Sequence, residues 1–573
     1  MIKKLRKLLD ARELSVLELT NAYLDRIDKY NGALNAFIYV NRDGAKKAAA
    51  GAQAMIGAGE QSMLTGIPIA LADNIFTDDM PATCASHMLD GYRPPYDATV
   101  AERLRAQGAV FLGKLNIDEF SVGATTRTSY YGCTVNPYCL AQATGNPGVG
   151  LSAHTPAGKG ADGNNAQVSN PANQVATNYP ANQVATNDPS YHVATNDPAN
   201  QVATNDPANH VATDDPSNSP VSGAAAAVAA GLCAAAVGVD SGGSACLPAA
   251  FCGVKGFRPS FGMVSRHGCA AYASGYDQAT PVAVSSEDCA IVMEAILGYC
   301  PKDLMTSVVR DKLEVDGVPE IPMNINGLRV GVIRELICGE DAPEVKNAVD
   351  NAIKWFGQAG ADVSEINIPM LKHGGAAYHV IACAEASANL ARLDGVRYGR
   401  RADVGGDAAG DYFEMVSRSR GEGFGREVKR QILFGTCMLS QGYYEKYYKR
   451  AVAVANMIKT QYCEALLKYD LLISPAGFVS ASPNGNIGAS SAGFVSASQN
   501  GFIGVSPYGF IGASFAGLPS ATTPCGYMSG SGLPIGLTLT GRRFDDMRVL
   551  GAAAAFEKGF GLITPEIYAS PFA

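Results

Sequence analysis

The stretch Asp240-Ser241-Gly242-Gly243-Ser244-Ala245-Cys246-Leu247-Pro248-Ala249-Ala250-Phe251-Cys252-Gly253 decides how this chain is read. An alanine-rich segment from Gly223 to Gly231 reads as a helix, and a short apolar run, Ala234 to Val239, leads into the stretch. The glycine pair lets the backbone approach a ligand closely and turn its N–H groups inward. A serine directly after such a pair stands where a nucleophile and an oxyanion hole can be built together. Gly-Gly-Ser alone is equally the mark of a plain loop, so its meaning has to come from the surroundings.

Working outward, residues 3–31 read as two helices, the second capped by Ser15 with Glu18 three residues later. Residues 45–58 form an alanine-rich helix, Ile67 to Leu71 a buried strand, Thr99 to Gly108 a helix and Val110 to Gly113 a strand. This alternation predicts an α/β fold with a largely buried sheet. Further on, residues 327–334 read as a strand, 343–359 as a helix, and 376–398 and 426–468 as long helical stretches. The pairs Tyr443-Tyr444 and Tyr447-Tyr448 read as packing and helix-surface residues rather than a base-stacking platform.

Two repeats interrupt the pattern. From Asn170 to Thr213 a nine-residue unit recurs, Asn-Asp-Pro-Ala-Asn-Gln-Val-Ala-Thr with variations. Each unit offers one Val as apolar anchor, too little to offset chain ordering at about 1–2 kcal/mol per residue. A flexible surface insertion is the expectation, with a small β-solenoid or stacked hairpins as the alternative. From Gly477 to Ala516 an eight-residue unit recurs, Gly-Phe-Val-Ser-Ala-Ser-Pro-Asn and variants. Glycine every eighth residue argues there against a regular helix.

The 573 residues carry a net charge of −8, which gives no electrostatic reason for strong nucleic-acid binding by this chain alone. Direct DNA binding is not expected. The 14 cysteines are scattered without metal-ligand spacing, so no metal site is expected, and they read as thiols of a reducing compartment. No apolar run reaches the roughly 18 residues of a membrane span. Met1 to Leu9 is basic, but no signal-peptide core follows it. The expectation is a cytoplasmic protein without membrane attachment or cofactor.

Asp-Ser-Gly-Gly-Ser followed by Pro248-Ala-Ala-Phe-Cys-Gly-Val-Lys-Gly-Phe-Arg-Pro259 resembles the amidase signature family. So do Gly66-Ile-Pro-Ile-Ala-Leu-Ala-Asp-Asn-Ile75 and Asn116-Ile-Asp-Glu-Phe120. Asn389 to Gly399, Glu427-Val-Lys-Arg430 and Gly442-Tyr-Tyr444 resemble one branch of it, the A subunits of the glutamyl/aspartyl-tRNA amidotransferases. The resemblance covers roughly 1–143, 221–475 and 517–573. It implies a central mixed twisted sheet covered by helices on both faces, here with a low-complexity insertion. The implied organisation is an amidase domain in three parts (1–143, 220–476, 517–573), separated by the repeat insertion 144–219 and by 477–516 in place of a substrate-side segment. It also implies B and C subunits as partners and, through them, tRNA.

The family cleaves amides through a serine nucleophile, a second serine with a cis peptide bond, and a neutral lysine. In register, the resemblance implies Ser244 as the nucleophile and the backbone N–H groups of Ser241, Gly242 and Gly243 as oxyanion donors. The relay lysine falls on Ala72, whose methyl group takes no proton. Counting back from Leu232, the bridging serine falls on Pro220; counting forward from Asn136-Pro137, on Pro147. Ser219 and Ser222 are near enough for a local shift to bring one in. Proline makes a cis bond cheap, within about 0.5–1 kcal/mol of trans, so Pro220 is expected to keep the cis backbone without the hydroxyl. The family arginine after the nucleophile is Cys246, and the aspartate that holds the substrate amine falls near Pro507. Arg430 keeps a substrate-side arginine position, followed by Gln431 where arginine is usual.

The expectation is an amidase-fold protein with an impaired or absent hydrolytic relay. The alternatives are a working amidase or glutaminase subunit with a substitute base, for which Lys255, Lys159 or His267 would have to serve, and an interaction protein carried by its repeats.

Overall fold

The computed structural model describes residues 1–139, 221–309, 321–337, 343–404, 412–477, 508–529 and 532–561. The nine-residue repeat, most of the eight-residue repeat, and Pro147, Lys159, Pro220 and Pro507 lie outside these residues.

Two helices open the chain, α1 (Ile2–Asp10) and α2 (Val16–Leu34). The Ser15 hydroxyl accepts from the Glu18 N–H while the Glu18 carboxylate accepts from the Ser15 N–H, the reciprocal cap read from the sequence. Strand β1 (Phe37–Val40) and helix α3 (Arg42–Ala58) follow, then β2 (Pro68–Ala72), α4 (Thr99–Ala106) and β3 (Val110–Leu115). After the insertion come α5 (Gly223–Ala229), β4 (Ala235–Asp240), α6 (Cys246–Phe251), β5 (Lys255–Arg258) and β6 (Gln278–Ala283). Then follow α7 (Ser286–Ile296), β7 (Arg329–Ile333), α8 (Pro343–Gln358), β8 (Asp362–Ile366) and α9 (Gly374–Leu390). The last elements are α10 (Tyr412–Gly423), α11 (Arg426–Leu439), α12 (Lys449–Lys468), β9 (Leu471–Gly477), α13 (Tyr508–Ala516), β10 (Ser520–Tyr527), β11 (Pro534–Gly541) and α14 (Asp546–Phe560).

Among the described residues, eleven strands form one mixed sheet, in the order β1-β3-β2-β4-β6-β5-β10-β11-β9-β7-β8. Strand β2 runs parallel to both β3 and β4, while β4, β6, β5, β10, β11 and β9 pair antiparallel in turn. Every residue of β2, β3, β4 and β11 is buried. Burial on both faces explains why β2, β4 and the start of β3 read as continuous apolar runs rather than alternating ones.

Three expectations need correction. The stretch 376–398 is helical only to Leu390; the following segment turns at Gly395 and Gly399, with φ of +77° and +85°. The stretch 426–468 is not continuous: α11 stops at Leu439, Gly442 takes φ of +85°, and a π-helical turn at Tyr444–Tyr448 leads into α12. There Tyr443 stacks on Tyr447 and Tyr444 on Tyr448, with centroids 5.5 and 5.2 Å apart. Finally, Tyr508–Ala516 of the eight-residue repeat is a helix despite its glycines. A Cβ on Gly512 would come within 2.4 Å of the Tyr462 ring, and one on Gly509 within 2.4 Å of Ser474 Oγ. The glycines let α13 lie directly against α12 and β9, so close packing overrides their low helix propensity.

Candidate active site

The sharp connection from β4 to α6 is held by buried charge. Asp240 accepts from Gly243 N (2.7 Å), Ala245 N (2.8 Å) and Cys246 N (3.0 Å). Arg258, fully buried at the end of β5, lies 3.9 Å from Asp240 and donates to Ser241 O (3.0 Å), Tyr276 O (2.7 Å) and Ser514 Oγ. The Ser241 hydroxyl donates to Asp277 Oδ1 at 2.5 Å. Asp277 also accepts from the N–H groups of Tyr272 and Ala273, and burial still pushes its carboxyl up. Gly243 has φ of +111°, a conformation that side chains disfavour, and the Tyr378 ring packs directly on Gly242. Of the three oxyanion donors expected from the sequence, the Gly243 N–H is therefore committed to Asp240.

This loop presents Ser244 to a narrow cleft. The cleft is walled by Ala72 at the end of β2, by Asp118, Ser121 and Thr126, by Ser222 just before α5, and by apolar or glycine residues. The free space is about 20 Å³, near the minimum for one ordered water. The structure thus brings together Ser244, Ala72 and Ser222. The bond given for Ser244 Oγ runs back to Val239 O at 3.1 Å. No lysine, arginine or histidine is among the described residues that line the cleft. A serine hydroxyl without a neighbouring base is a poor nucleophile.

The basic groups closest in sequence or register are turned elsewhere. Lys114 pairs with Leu71 across β3 and β2, so alternation places it on the face opposite Ala72. Its ammonium is buried and donates to Ile75 O. Burial lowers its pKa to about 8, opposed by Asp73; burial raises Asp73 to about 6, opposed by Lys114 and Thr83. Lys255 pairs with Glu557 at 3.6 Å. His267 stacks on Tyr96 at 5.2 Å and lines a different cavity, with Arg266, Lys302 and Asp303.

The structure places the substrate-side positions that the resemblance implies as follows. Arg430 is half exposed and bonds Glu427 one turn back at 2.8 and 2.5 Å, and it does not line the cleft. Gln431 is buried instead, accepting from the Tyr272 hydroxyl at 3.0 Å and donating to Glu427 at 3.1 Å. Cys246 is fully buried, and burial pushes its thiol well up. Sequence reasoning missed Asp118, Ser121 and Thr126 as cleft walls. They lie in or just beyond the Asn116–Phe120 block, and that run of polar residues after a buried strand was the available signal.

An eleven-stranded mixed sheet flanked by helices, with a glycine-pair serine loop at the end of a buried strand, defines the amidase-signature class of fold. The chain belongs to the Amidase family, whose profile matches residues 18–158 and 208–550. Among similar proteins is the A subunit of the glutamyl-tRNA(Gln) amidotransferase from Ruminiclostridium cellulolyticum, 36% identical over 561 residues, or 98% of this chain and 97% of that one. Its counterpart of the same name from Thermoanaerobacter pseudethanolicus is 37% identical over 558 residues, covering 97% and 96%. The crystal structure of the A subunit of the glutamyl-tRNA(Gln) amidotransferase from Thermotoga maritima superposes with a TM-score of 0.64 at 28% identity, covering 97% of this chain and 98% of that one. The peptide amidase of Stenotrophomonas maltophilia shares the fold, with a TM-score of 0.70 at 24% identity and 98% of each chain covered. Among the described residues no helix is long and apolar enough to cross a membrane.

Proposed function

We propose that this chain is an amidase-fold counterpart of the glutamine-hydrolysing A subunit in which the hydrolytic relay is broken, leaving the protein catalytically impaired or inactive. One observation carries the reading. Ala72 and Ser244 line the same cleft, and its described lining holds no amine or imidazole; its one carboxylate, Asp118, is held by the N–H groups of Thr125, Thr126 and Thr128. Ser222 supplies a hydroxyl that a bridge could use, but a bridge without a base moves no proton. Substitute bases find no support, since Lys255 and His267 are engaged elsewhere. The neutral Gln431 in the buried position beside Arg430 agrees with weakened hold on an acidic substrate group. By its relatives, the chain would work beside B and C subunits, reaching tRNA through them, in the cytoplasm.

The test is glutamate release from glutamine by the purified chain, alongside Ala72→Lys and Ala72→Lys/Pro220→Ser. A restored general base is worth on the order of 10²–10⁴-fold, so the variants should exceed the parent by that factor. Turnover by the parent equal to that of the double variant sinks the reading.

A further inference from the structure

Ala72 and Ser244 leave a space between them that has a chemical character of its own. It is sized for about one water, and its polar lining residues are Asp118, Ser121, Thr126, Ser222 and Ser244. Asp118, Thr126, Ser121 and Ser222 are all more than nine-tenths buried. Asp118 is tied down by the N–H groups of Thr125, Thr126 and Thr128 and the Thr128 hydroxyl, so the wall is rigid. Ser121 accepts from Asn74, and the Thr126 hydroxyl donates to the carbonyls of Thr125 and Val221. Asp118 and four hydroxyl residues, with no cationic group among the described lining residues, favour a small guest that brings its own N–H donors.

We propose that this cleft binds ammonium or a short primary amine, and that the neutral amine serves as the proton acceptor for Ser244. The inference rests on the broken-relay reading above. Because Ala72 and Ser244 line the same small space, an amine held there is brought to Ser244. The amine nitrogen takes the Ser244 proton as Oγ bonds to the carbonyl carbon of an amide. The resulting ammonium then returns a proton to the leaving nitrogen as the C–N bond breaks, releasing ammonia from a primary amide. Water then bonds to the acyl carbon and gives a proton to the same amine, and the ammonium returns that proton to Ser244 Oγ as the ester bond breaks.

The experiment uses the full chain at mildly alkaline pH with ammonium chloride, methylamine, ethylamine or tert-butylamine added, and tetramethylammonium chloride as the salt control. Two readouts run together: glutamate formed from glutamine, and Ser244 sulfonylation by methanesulfonyl fluoride, followed by mass of the labelled peptide. The second reports Ser244 activation even where glutamine binds poorly. The expected result is a saturable increase of about tenfold or more with ammonium or methylamine, tracking the neutral amine as pH rises. Tert-butylamine, equally basic but too bulky, should do nothing. Ala72→Leu should abolish the increase by filling the cleft, and Ala72→Lys should make labelling independent of added amine. Equal effects of methylamine and tert-butylamine, or no amine effect on labelling, overturn the proposal. If Ala72→Lys gains activity while amines do not act, this proposal fails and the broken-relay reading stands. If the parent turns over fully without amine, that reading fails first.

Discussion

The two walls around Ser244 were built under different demands. On the loop side, Asp240, Ser241, Arg258 and Asp277 are nearly or wholly buried, and each is bonded to a backbone group or to another of the four. On the β2 side stands the methyl group of Ala72, and the Ser244 hydroxyl turns back to its own strand. The loop bonds hold the β4–α6 connection and join β5 and β6 to it, so losing them would damage the fold. A lysine at position 72 would do the reverse, because it would bury an amine in the sheet. Lys114, one strand away, shows what that means: burial drives its pKa down to about 8 even with Asp73 beside it. On the proposed reading, architecture that also stabilises would persist while chemistry that strains the core would go.

The largest expected effect breaks the loop side. Asp240→Ala removes the acceptor of three N–H groups and leaves the buried Arg258 without its carboxylate at 3.9 Å. Stripping one partner from such a buried pair costs about 3–5 kcal/mol. Urea unfolding of Asp240→Ala should show that loss. A change no larger than that of a surface substitution would mean that the loop is held by packing rather than by its charges.

Where the sequence was legible, the determinants were local. The Ser15–Glu18 cap is a four-residue pattern, and the apolar runs of β2, β3 and β4 need only their own residues to be recognised. The site was half legible for the same reason: Ser244 and its glycine pair are contiguous, and the resemblance supplied Ala72. The rest depends on distant residues. Gly509 and Gly512 argue against a helix until Ser474 and Tyr462 are placed against them. Arg258 looked like part of a family block, yet it ties together Ser241, Tyr276 and Ser514, the last 256 positions away. Asp118 became a cleft wall only through long-range folding, and Arg430, a substrate-side position in the sequence, bonds Glu427 on its own helix.

The next effect sharpens the comparison from the other wall. Ala72→Lys should lower stability while raising activity, by about 2 kcal/mol in urea unfolding, because it places an ionisable amine at a position that is 1% exposed. The loss should shrink between pH 8 and 10, since a lysine depressed in the folded state is neutral there while the unfolded chain still binds the proton. If Ala72→Lys proves as stable as the parent at every pH, strain in the core does not explain why alanine stands at this position.

The smallest effect asks what a buried carboxylate does when its bonds run to neutral groups. Asp546 accepts from the Ser260 N–H (2.8 Å) and hydroxyl (2.6 Å) at the start of α14, and burial raises its pKa to about 6. A folded pKa raised above the unfolded value means that the folded chain holds the proton more tightly. Its penalty is therefore absent below about pH 4, grows as pH rises to about 6, and is constant above. Asp470, held low by Arg329 and Arg542, acts with the opposite sign: its contribution is present at neutral pH and lost on acidification. Asp546→Asn keeps the shape and removes the titration. Relative to the parent, it should gain about 1–2 kcal/mol between pH 4 and pH 7, with the Asp470 contribution cancelling between the two proteins. A difference that stays constant across that range would show that the Ser260 bonds already offset the desolvation of the charged form, and that a buried carboxylate here needs no cation such as Arg258 beside it.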